Sequence, residues 1–546
     1  MTGRHDAILI LGGGVMQIPA IEAAHRMGLV THVADGNPHC PGATTADVFH
    51  HVDLRDVDGL LVCARAIPAL RGVFTAATDF SSSVAWITEH LGLPGVPYEV
   101  SLAATDKGRM RDRLSAAGVR IPAYRIIEAS DIPSGRIHVI ARNLSFPLVC
   151  KPVDNMGARG VQQIASPEEL EKAVSASLQL SVSQRVILEE LIQGAEYSLD
   201  ALVIGDTVHI TGVAERHIFF SPWFVELGHT LPAKLAHDDH HALESTFRNA
   251  IRAIGIRDGA AKGDIFLAHD PESNAPVVTV GEIAARLSGG YMSGWTYPAA
   301  SGVALTQIGI EIALGRTVEP HRLHPSRDRV SVERAVISAP GTISSIDVPE
   351  ENAPDGILRA DDHVFITCDV GQQVAPPTNN VEKVGNIIAT GASPEEAERR
   401  ALAIRRHITI DLQLNDPATD QYLFHDGWNS PWAHYCLSDS CAPSLDEHPA
   451  YRGPRATLEA LVTEGRPLPV QSLGSSHDPL SFGIEPCHIA VDGVESLRRL
   501  VENRTIVFAN ASPRVDGLFW KAFFAAGLQG VRYLLRYIAT SREGVT

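Results

Sequence analysis

The chain is 546 residues long, 45% of its residues are apolar, and its formal net charge at pH 7 is −18. This length and composition predict a globular protein of about three or four domains, and the negative charge argues against nucleic acid or an anionic membrane as the main partner. The seven cysteines are scattered and odd in number, so they imply no disulfide framework. The polar N-terminus and the lack of a long apolar run predict neither a signal peptide nor a membrane span, so we expect a cytoplasmic protein.

The chain begins as a strand–helix–strand unit. An apolar run from Ala7 to Leu11 ends in Gly12-Gly13-Gly14, a helix is predicted from Ile18 to Met27, and a second strand from Val30 to Ala34. Glycines at the carboxyl end of such a strand border the ligand site of open α/β sheets. The dinucleotide fingerprint needs a glycine where this chain has Gln17, so NAD binding is weakly supported, and the glycines alternatively serve only a tight turn.

Two lysines of the next segment stand at positions suited to phosphate. Asp106 and Lys107 open a predicted helix, and a strand from Phe146 to Cys150 delivers Lys151 to the glycine-containing loop from Asn155 to Val161. A lysine supplies charge, and a glycine-containing loop supplies backbone N–H groups without obstruction by side chains. The GK[ST] signature is missing, so the pattern is not a Walker motif.

Further along, the apolar strand from Val186 to Ile192 breaks into a linker that can present backbone groups to an adenine edge. Glu196 follows and can accept the hydroxyl groups of a ribose. His229 is predicted to lie in a loop beside aromatic residues.

Two carboxylates and an arginine come together at the end of the next strand pair. A strand from Val277 to Val280 leads to Glu282 and Arg286, and Asp264 lies on the preceding strand, across the polar loop at 270–275. Pairing of the two strands would place Asp264 beside Glu282. Two hard oxygen ligands and an arginine suit Mg²⁺ and a transferring phosphoryl group, whereas the alternative is a hairpin with solvated acids.

In this order, the motifs resemble those of the ATP-grasp superfamily over about residues 7–410. The resemblance is strongest to the branch of L-amino acid ligases and other carboxylate–amine ligases, because the runs EIAARLSGG and RAVISAPG are similar to that branch. Biotin carboxylase and glycinamide ribonucleotide-type enzymes are more distant. Each motif is loose, and the order and spacing of five motifs carry the resemblance.

The resemblance implies a binding site for ATP. Lys107 and Lys151 would bind its phosphates, beneath the loop that contains Gly157 and Gly160. A hinge would hold the adenine, and an acid after the hinge would hold the ribose. These positions are the hinge residues Glu189, Glu190 and Ile192 and the ribose-binding Glu196.

The resemblance also implies the reacting groups. Asp264 and Glu282 would carry Mg²⁺ or Mn²⁺, Arg286 would stabilise the transferred phosphoryl group, and His229 would help hold the reacting acid or its tetrahedral intermediate. Many members have an asparagine two residues after the second acid, where this chain has Ala284. Water would replace that ligand, and the ligase branch shares the alanine.

The fold class implied is multidomain, α/β and α+β, with an ATP-grasp architecture. It would comprise an N-terminal Rossmann-like pre-ATP-grasp domain at 1–105, an ATP-grasp domain at 106–318, a β-rich lid at 319–412 and an extra C-terminal domain at 413–546. Short β patterns dominate 332–390, and a helix capped by Ser393 follows them.

The C-terminal extension lies outside the resemblance, and we expect it to pack against the ligase body. Its segment at 415–450 contains His434, Cys436, Cys441 and His448, whose spacing matches no zinc signature, so ordinary side chains are the alternative to a metal site. A strand is predicted at Thr505–Ala509. The amphipathic stretch from Leu518 to Ile538 predicts a helix whose aromatic face serves core packing or a homodimer surface.

The leading hypothesis is an ATP-dependent carboxylate–amine ligase that acts through an acyl-phosphate on small acids and amines, with amino acids as the expected substrates. One alternative is a bicarbonate-activating carboxylase, although the chain has no carrier-like Met-Lys-Met stretch. Others are a nucleotide-binding subunit without turnover and a nicotinamide oxidoreductase that uses the N-terminal glycine turn.

Overall fold

The structure is a computed structural model that describes residues 6–426 apart from 134, 351–355 and 406, together with residues 522, 526, 529–530, 532–534 and 536–537. The predicted strand at Thr505–Ala509 and the four zinc candidates His434, Cys436, Cys441 and His448 lie outside the described residues. No helix among the described residues is long and apolar enough to cross a membrane.

Strands and helices alternate in the first part of the chain, and strands dominate afterwards. The strands are β1 (Ala7–Leu11), β2 (Val30–Asp35), β3 (Val48–His51), β4 (Leu70–Phe74), β5 (Tyr124–Glu128), β6 (Leu148–Pro152), β7 (Gln162–Ile164), β8 (Arg185–Glu190), β9 (Ala195–Ile204), β10 (Thr207–Phe219), β11 (Val225–Leu231), β12 (Gly259–His269), β13 (Pro276–Ala284), β14 (Val330–Val336), β15 (Gly341–Asp347), β16 (His363–Ile366), β17 (Gln373–Val374), β18 (Gly385–Gly391) and β19 (Thr409–Leu412). The α-helices are α1 (Ile18–Arg26), α2 (Gly42–Thr45), α3 (Val57–Ala66), α4 (Ser81–Leu91), α5 (Tyr98–Thr105), α6 (Lys107–Ala116), α7 (Arg136–Ala141), α8 (Leu170–Leu178), α9 (His237–Ile254), α10 (Tyr297–Ser301), α11 (Leu305–Ala313), α12 (Pro394–Arg405) and α13 (Pro417–Gln421).

The described residues fall into two compact units. The first comprises the described residues within Met1–His217, Gly228–Glu333 and Thr390–Ala397, and the second comprises those within Ile218–Leu227, Arg334–Ala389 and Glu398–Thr546. Strands β10, β11, β14 and β18 and helix α12 run from one unit into the other.

The first unit opens with a parallel sheet in the order β3-β2-β1-β4. Alternate residues of β1 enter two different apolar clusters, with Ile8 and Ile10 on one side and Leu9 and Leu11 on the other. Burial on both faces is typical of a parallel sheet that carries helices on each side. The predicted α/β start of the chain is therefore confirmed.

The glycine turn after β1 is occupied by the protein's own groups. The Gly13 N–H donates to Asp35 Oδ2 at 2.7 Å, and Gln17 Nε2 donates to the Ala76 carbonyl at 2.6 Å. Since a carboxylate already accepts the amide that a bound phosphate would need, the turn matches the tight-turn interpretation better than the NAD alternative.

A small antiparallel sheet follows in the order β5-β8-β6-β7. Its apolar side packs on α8, where Val174 joins Leu148, Cys150 and Leu188 in one buried cluster. The polar side carries Lys151 and Glu189. These two residues lie diagonally across the β6–β8 register, because Lys151 is opposite Ile187.

The larger sheet of the first unit places β9 between β10 and β12, with β13 beyond β12. One face of β9 packs on α9, and buried side chains such as Leu199, Phe247 and Ile251 form its core. Polar residues lie on the opposite face of the sheet and at the carboxyl end of β13.

The second unit contains most of the β-rich segment predicted as a lid. Strand β15 pairs with β17 and β19, and β16 pairs with β18 over 363–366 and 385–388. The predicted run Gly385–Gly391 is a strand throughout. Ser393 caps the next helix, because its Oγ accepts the Glu396 N–H at 3.2 Å.

The described positions between 522 and 537 are helical and belong to the second unit. Tyr533 is buried and donates its hydroxyl to Asp420 at 2.7 Å, and its ring lies 6.2 Å from that of Phe424. Arg532 pairs with Asp411 at 3.1 Å. At these positions the structure confirms the predicted helix, which contacts Asp411 before the extension and Asp420 and Phe424 at its start.

Candidate active site

Strands β12 and β13 bring the two predicted acids together. Asp264 lies directly opposite Glu282 in the antiparallel register, which shifts just after Asp264. Asp264 is buried, and Glu282 is half-buried. The predicted pairing is confirmed. The two strands form a hairpin, but Asp264 is buried in it and not solvated as the alternative required.

Cationic side chains surround this acid pair. Lys107 Nζ lies 3.4 Å from Glu282 Oε1, Arg216 Nη1 lies 2.9 Å from Asp264 Oδ1, and Lys262 pairs with Asp264. Burial alone would raise the pKa of Glu282, but Lys107, Lys262 and further cations hold it well below its ordinary value. Glu282 is therefore a carboxylate at neutral pH and can bind a hard cation.

The sequence analysis missed Lys262 and Arg216. The sequence contains a signal for Lys262, because residues two apart on a strand point to the same face of the sheet and Lys262 is two residues before Asp264. Arg216 lies on β10 and pairs with both Asp264 and the predicted ribose acid Glu196. No spacing in the sequence predicts this contact, because it depends on the order of β10, β9 and β12 in the sheet.

Lys151 is held by a buried ion-pair bridge. Glu189 Oε2 lies 2.6 Å from Lys151 Nζ, and Glu189 Oε1 lies 2.6 Å from Arg111 Nε. Burial opposes the charge of Glu189, but the two cations lower its pKa to about 2. Glu189 was predicted to belong to the adenine-binding hinge. Its side chain instead contacts Lys151, which is predicted to bind phosphate.

Arg111 is a further residue that the sequence analysis missed. It is fully buried and donates from Nη2 to the Gly281 carbonyl, one residue before Glu282, at 2.6 Å. Its spacing from Lys107 was the available signal, because residues four apart on a helix share a face.

The predicted phosphate loop lies next to Lys107. Lys107 Nζ donates to the Asn155 carbonyl at 3.0 Å. Gly157 and Gly160 have φ values of 65° and 75°, in the left-handed region that favours glycine. The structure thus brings Lys107 and the start of the loop together, as the prediction required.

The other two hinge residues lie at the end of β8. Glu190 is half-buried and accepts the Ser145 N–H at 2.8 Å, and Ile192 is half-buried in the segment that joins β8 to β9. Their contact with adenine stays a prediction.

Arg286 follows β13 in a bend, and its guanidinium faces Asp79. Asp79 Oδ1 accepts from Arg286 Nη2 at 2.8 Å and from Nε at 3.2 Å. Two residues later, the Ser288 N–H donates to Asp200 Oδ1 at 3.1 Å. Burial raises the pKa of Asp200 to about 6, against the opposing effect of these hydrogen bonds.

His229 does not lie in a loop, so that prediction is wrong. It is a buried residue of β11, and its Nδ1 lies 2.5 Å from Glu333 Oε2 on β14. The segment is a strand because β11 lies between its neighbours β10 and β14 in the sheet. Glu333, 104 residues further along, was missed because nothing in the spacing indicates it.

The chemistry of this donor set fits Mg²⁺ and ATP. Asp264 and Glu282 offer carboxylate oxygens, the ligands that Mg²⁺ prefers. Asp264 Oδ1 is buried, with the Arg216 guanidinium at 2.9 Å. Lysine and arginine side chains around the acid pair suit phosphate oxygens.

Two family models match the chain. A model of the ATP-grasp domain matches residues 144–290, and a model of the L-amino acid ligase C-terminal domain 2 matches residues 334–413. The chain thus carries an ATP-grasp domain followed by a domain of the L-amino acid ligase type. The recognition made from the sequence is confirmed.

Similar proteins agree with these matches. The chain is 26% identical over 389 residues to the uncharacterized protein y4rH of Sinorhizobium fredii, and the alignment covers 69% of this chain and 77% of that protein. It is 23% identical over 443 residues to carnosine synthase 1 of Mus musculus, and this alignment covers 75% of this chain and about half, 52%, of that protein.

Among solved structures, an L-amino acid ligase from Bacillus licheniformis aligns with a TM-score of 0.61 and 21% identity, covering 76% of this chain and all of that one. At this identity the alignment shows the fold alone. It confirms the multidomain α/β fold class.

Proposed function

With an ATP-grasp domain and a domain of the L-amino acid ligase type as the premise, we propose that this chain is an ATP-dependent carboxylate–amine ligase. A carboxylate oxygen attacks the γ-phosphorus of ATP, the bond to ADP breaks, and an acyl-phosphate forms. An amine then attacks the acyl carbon, an amide forms, and phosphate and a proton leave.

The chemical need for the first step is electrostatic. A carboxylate is a poor electrophile, because its negative charge repels nucleophiles and it has no good leaving group. Phosphorylation removes the charge and installs a leaving group, and the negative charge that builds up at the transferring oxygens must be offset by fixed cations.

The observation that carries the proposal is the acid pair within its ring of cations. Asp264 and Glu282 lie opposite each other, with Lys107, Lys262 and Arg216 in contact. The acids would hold Mg²⁺, which would offset part of the negative charge of the phosphates.

The remaining residues of the site have positions that suit binding and orientation. Lys151, fixed by Glu189, would bind phosphate oxygens, and Arg286, which directly follows β13, would bind the transferred phosphoryl group. Glu333 holds the imidazole of His229 at Nδ1, so His229 would meet the reacting acid in a fixed orientation.

Amino acids are the proposed substrate class for both the acid and the amine. The support is the match to the model of the L-amino acid ligase C-terminal domain 2. The cytoplasmic location and the homodimer stay predictions from the sequence.

An isotope experiment tests the proposal. Pairs of amino acids are screened for ADP release, and the active acid is then supplied with ¹⁸O in both carboxylate oxygens. We expect one ¹⁸O atom in each phosphate released and an amide product of matching mass. The Glu282→Ala chain should release neither ADP nor labelled phosphate. Unlabelled phosphate, or AMP instead of ADP, would contradict an acyl-phosphate route.

A further inference from the structure

Arg286 owes its orientation to a residue of the N-terminal segment. Asp79 follows β4, more than 200 residues before Arg286 in the sequence, and its Oδ1 accepts both Nε and Nη2 of the guanidinium. The third nitrogen, Nη1, donates to the Leu287 carbonyl at 3.0 Å. The side chain of Asp79 is 26% exposed and that of Arg286 is 13% exposed, so solvent screens the ion pair only in part.

Backbone contacts fix the distance between the two residues. Ala76 forms a parallel bridge with Leu287, and the Ala77 N–H donates to the Leu287 carbonyl at 3.3 Å. Ala77 has a φ of 61°, a left-handed conformation that is unfavourable for alanine. A strained residue that persists at a functional site indicates that the surrounding structure demands its conformation. Here the turn at Ala77 delivers Asp79 to Arg286.

The bend that carries Arg286 has a separate support on its other side. Ser288 donates its N–H and its hydroxyl to Asp200 on β9. The backbone of the bend is therefore held without Asp79. What Asp79 adds is the orientation of the guanidinium, because its Oδ1 accepts from both Nε and Nη2.

We propose that Asp79 is a positioning residue for the phosphoryl-transfer step, which holds the Arg286 guanidinium in the direction of the transferred group. This inference rests on the proposed function, in which Arg286 contacts that group. It assigns the N-terminal segment a direct part in the reaction, through one carboxylate that contacts a catalytic arginine.

The test compares Asp79→Asn, Asp79→Glu and a matched control, Asp6→Asn. Asp6 also pairs with an arginine of the N-terminal segment, Arg71, at 3.0 Å, but its side chain and that of Arg71 are 40% and 63% exposed. Asparagine keeps the shape of Asp79 and removes its charge, whereas glutamate keeps the charge.

The first measurement needs no substrate. The chain is treated with phenylglyoxal, which modifies accessible arginines, and the modification rate at Arg286 is followed by peptide mass mapping. Arg26, whose side chain is 64% exposed and contacts neither Asp79 nor Asp6, is the internal reference. Asp79→Asn should raise the rate at Arg286 several-fold, because the guanidinium loses its partner. Asp79→Glu and Asp6→Asn should leave that rate close to the wild-type value.

The second measurement is kinetic. Asp79→Asn should lower kcat about 10- to 100-fold, because a misplaced catalytic group costs about that much, while the KM for ATP changes less than about threefold. Asp79→Glu should recover most of kcat. In an Arg286→Lys chain, adding Asp79→Asn should cost less than about threefold more, because both changes remove one interaction.

An unchanged modification rate at Arg286 in Asp79→Asn would overturn the inference. So would a loss in kcat that is as large in the Arg286→Lys chain as in the wild type. A wild-type chain that releases no ADP with any acid and amine would overturn the proposed function instead, and the modification rate would still decide whether Asp79 holds Arg286.

Discussion

Replacing Glu189 with glutamine should destabilise the protein strongly. Glu189 is 3% exposed, and each of its oxygens lies 2.6 Å from a cation, Lys151 or Arg111. Glutamine keeps the shape, but it removes the negative charge between two buried cations and turns an N–H₂ group toward one of them. An uncompensated buried charge is among the costliest defects in a protein interior.

The expected loss in the free energy of unfolding follows from the pKa of Glu189. The native environment lowers the pKa of Glu189 from its ordinary 4.5 to about 2, which corresponds to about 3 kcal/mol of stability. Because this pKa is lowered on folding, the contribution is present above pH 4.5 and is lost as the pH falls through about 2. At pH 7 the full effect is expected, and a slope of about 3 kcal/mol/M gives a shift of about 1 M in the urea midpoint.

Glu190→Gln is the matched control. Glu190 is the next residue on the same strand, is half-buried, and accepts one backbone N–H, from Ser145 at 2.8 Å. Glutamine can still accept that bond through Oε1, so a change below about 1 kcal/mol is expected. Urea unfolding of both variants at pH 7, followed by fluorescence, measures the difference. Equal midpoints would refute the argument that the bridge between Lys151 and Arg111 stabilises the fold.

Three further predictions follow from the same site. Glu282→Ala should abolish ADP release and weaken ATP binding less, and near wild-type ADP production would remove Glu282 from the mechanism. Lys107→Ala and Lys151→Ala should each weaken ATP binding in calorimetry by about 10- to 100-fold, since each removes a charged hydrogen bond worth about 1.5–3 kcal/mol; unchanged affinity in both would place the nucleotide elsewhere. Asp200 has a pKa raised to about 6, so its contribution to stability is fully present below pH 3.8 and is lost as the pH rises through about 6. The stability of Asp200→Asn relative to the wild type should therefore increase as the pH rises from about 4 to 6, as measured by thermal melts. A constant difference in stability over that range would contradict this.

The features that sequence analysis predicted correctly are those that depend on local periodicity. Asp264 and Glu282 pair because two strands meet across a short loop, where Asp270 accepts the N–H groups of Glu272 and Ser273. The same reasoning placed Lys107 at the start of α6, where Asp106 caps the helix by accepting the Arg109 N–H at 3.0 Å. A local pattern fixes such positions whatever the rest of the chain does.

The residues that sequence analysis missed join parts of the chain that are distant in sequence. Arg216 reaches Asp264 across β9, Glu333 reaches His229 across 104 residues, and Asp79 reaches Arg286 from another sheet. Each is an ordinary charged residue without a distinctive neighbour. Its role depends on the strand order and register, which a single sequence does not specify.

The arrangement of charge at this site bears on how a nucleotide would bind. Every cation described here lies within ion-pair distance of a carboxylate, so the site is not a bare positive surface. The cations are Lys107, Lys151, Lys262, Arg111, Arg216 and Arg286, and the carboxylates are Asp79, Glu189, Glu196, Asp264 and Glu282.

The six cations face these five carboxylates and also Asp200, whose pKa of about 6 leaves it mostly ionised at pH 7, so the local charge is near zero. This is too small to neutralise a triphosphate of about four negative charges. A nucleotide would therefore have to bring its own divalent cation, which the acid pair could then share with the phosphates. In that arrangement, the carboxylates that weaken binding of the bare nucleotide become ligands for its cation. The same acids hold the lysines and arginines in place, so a protein of net charge −18 can present fixed cations to a phosphate without a general attraction for anions.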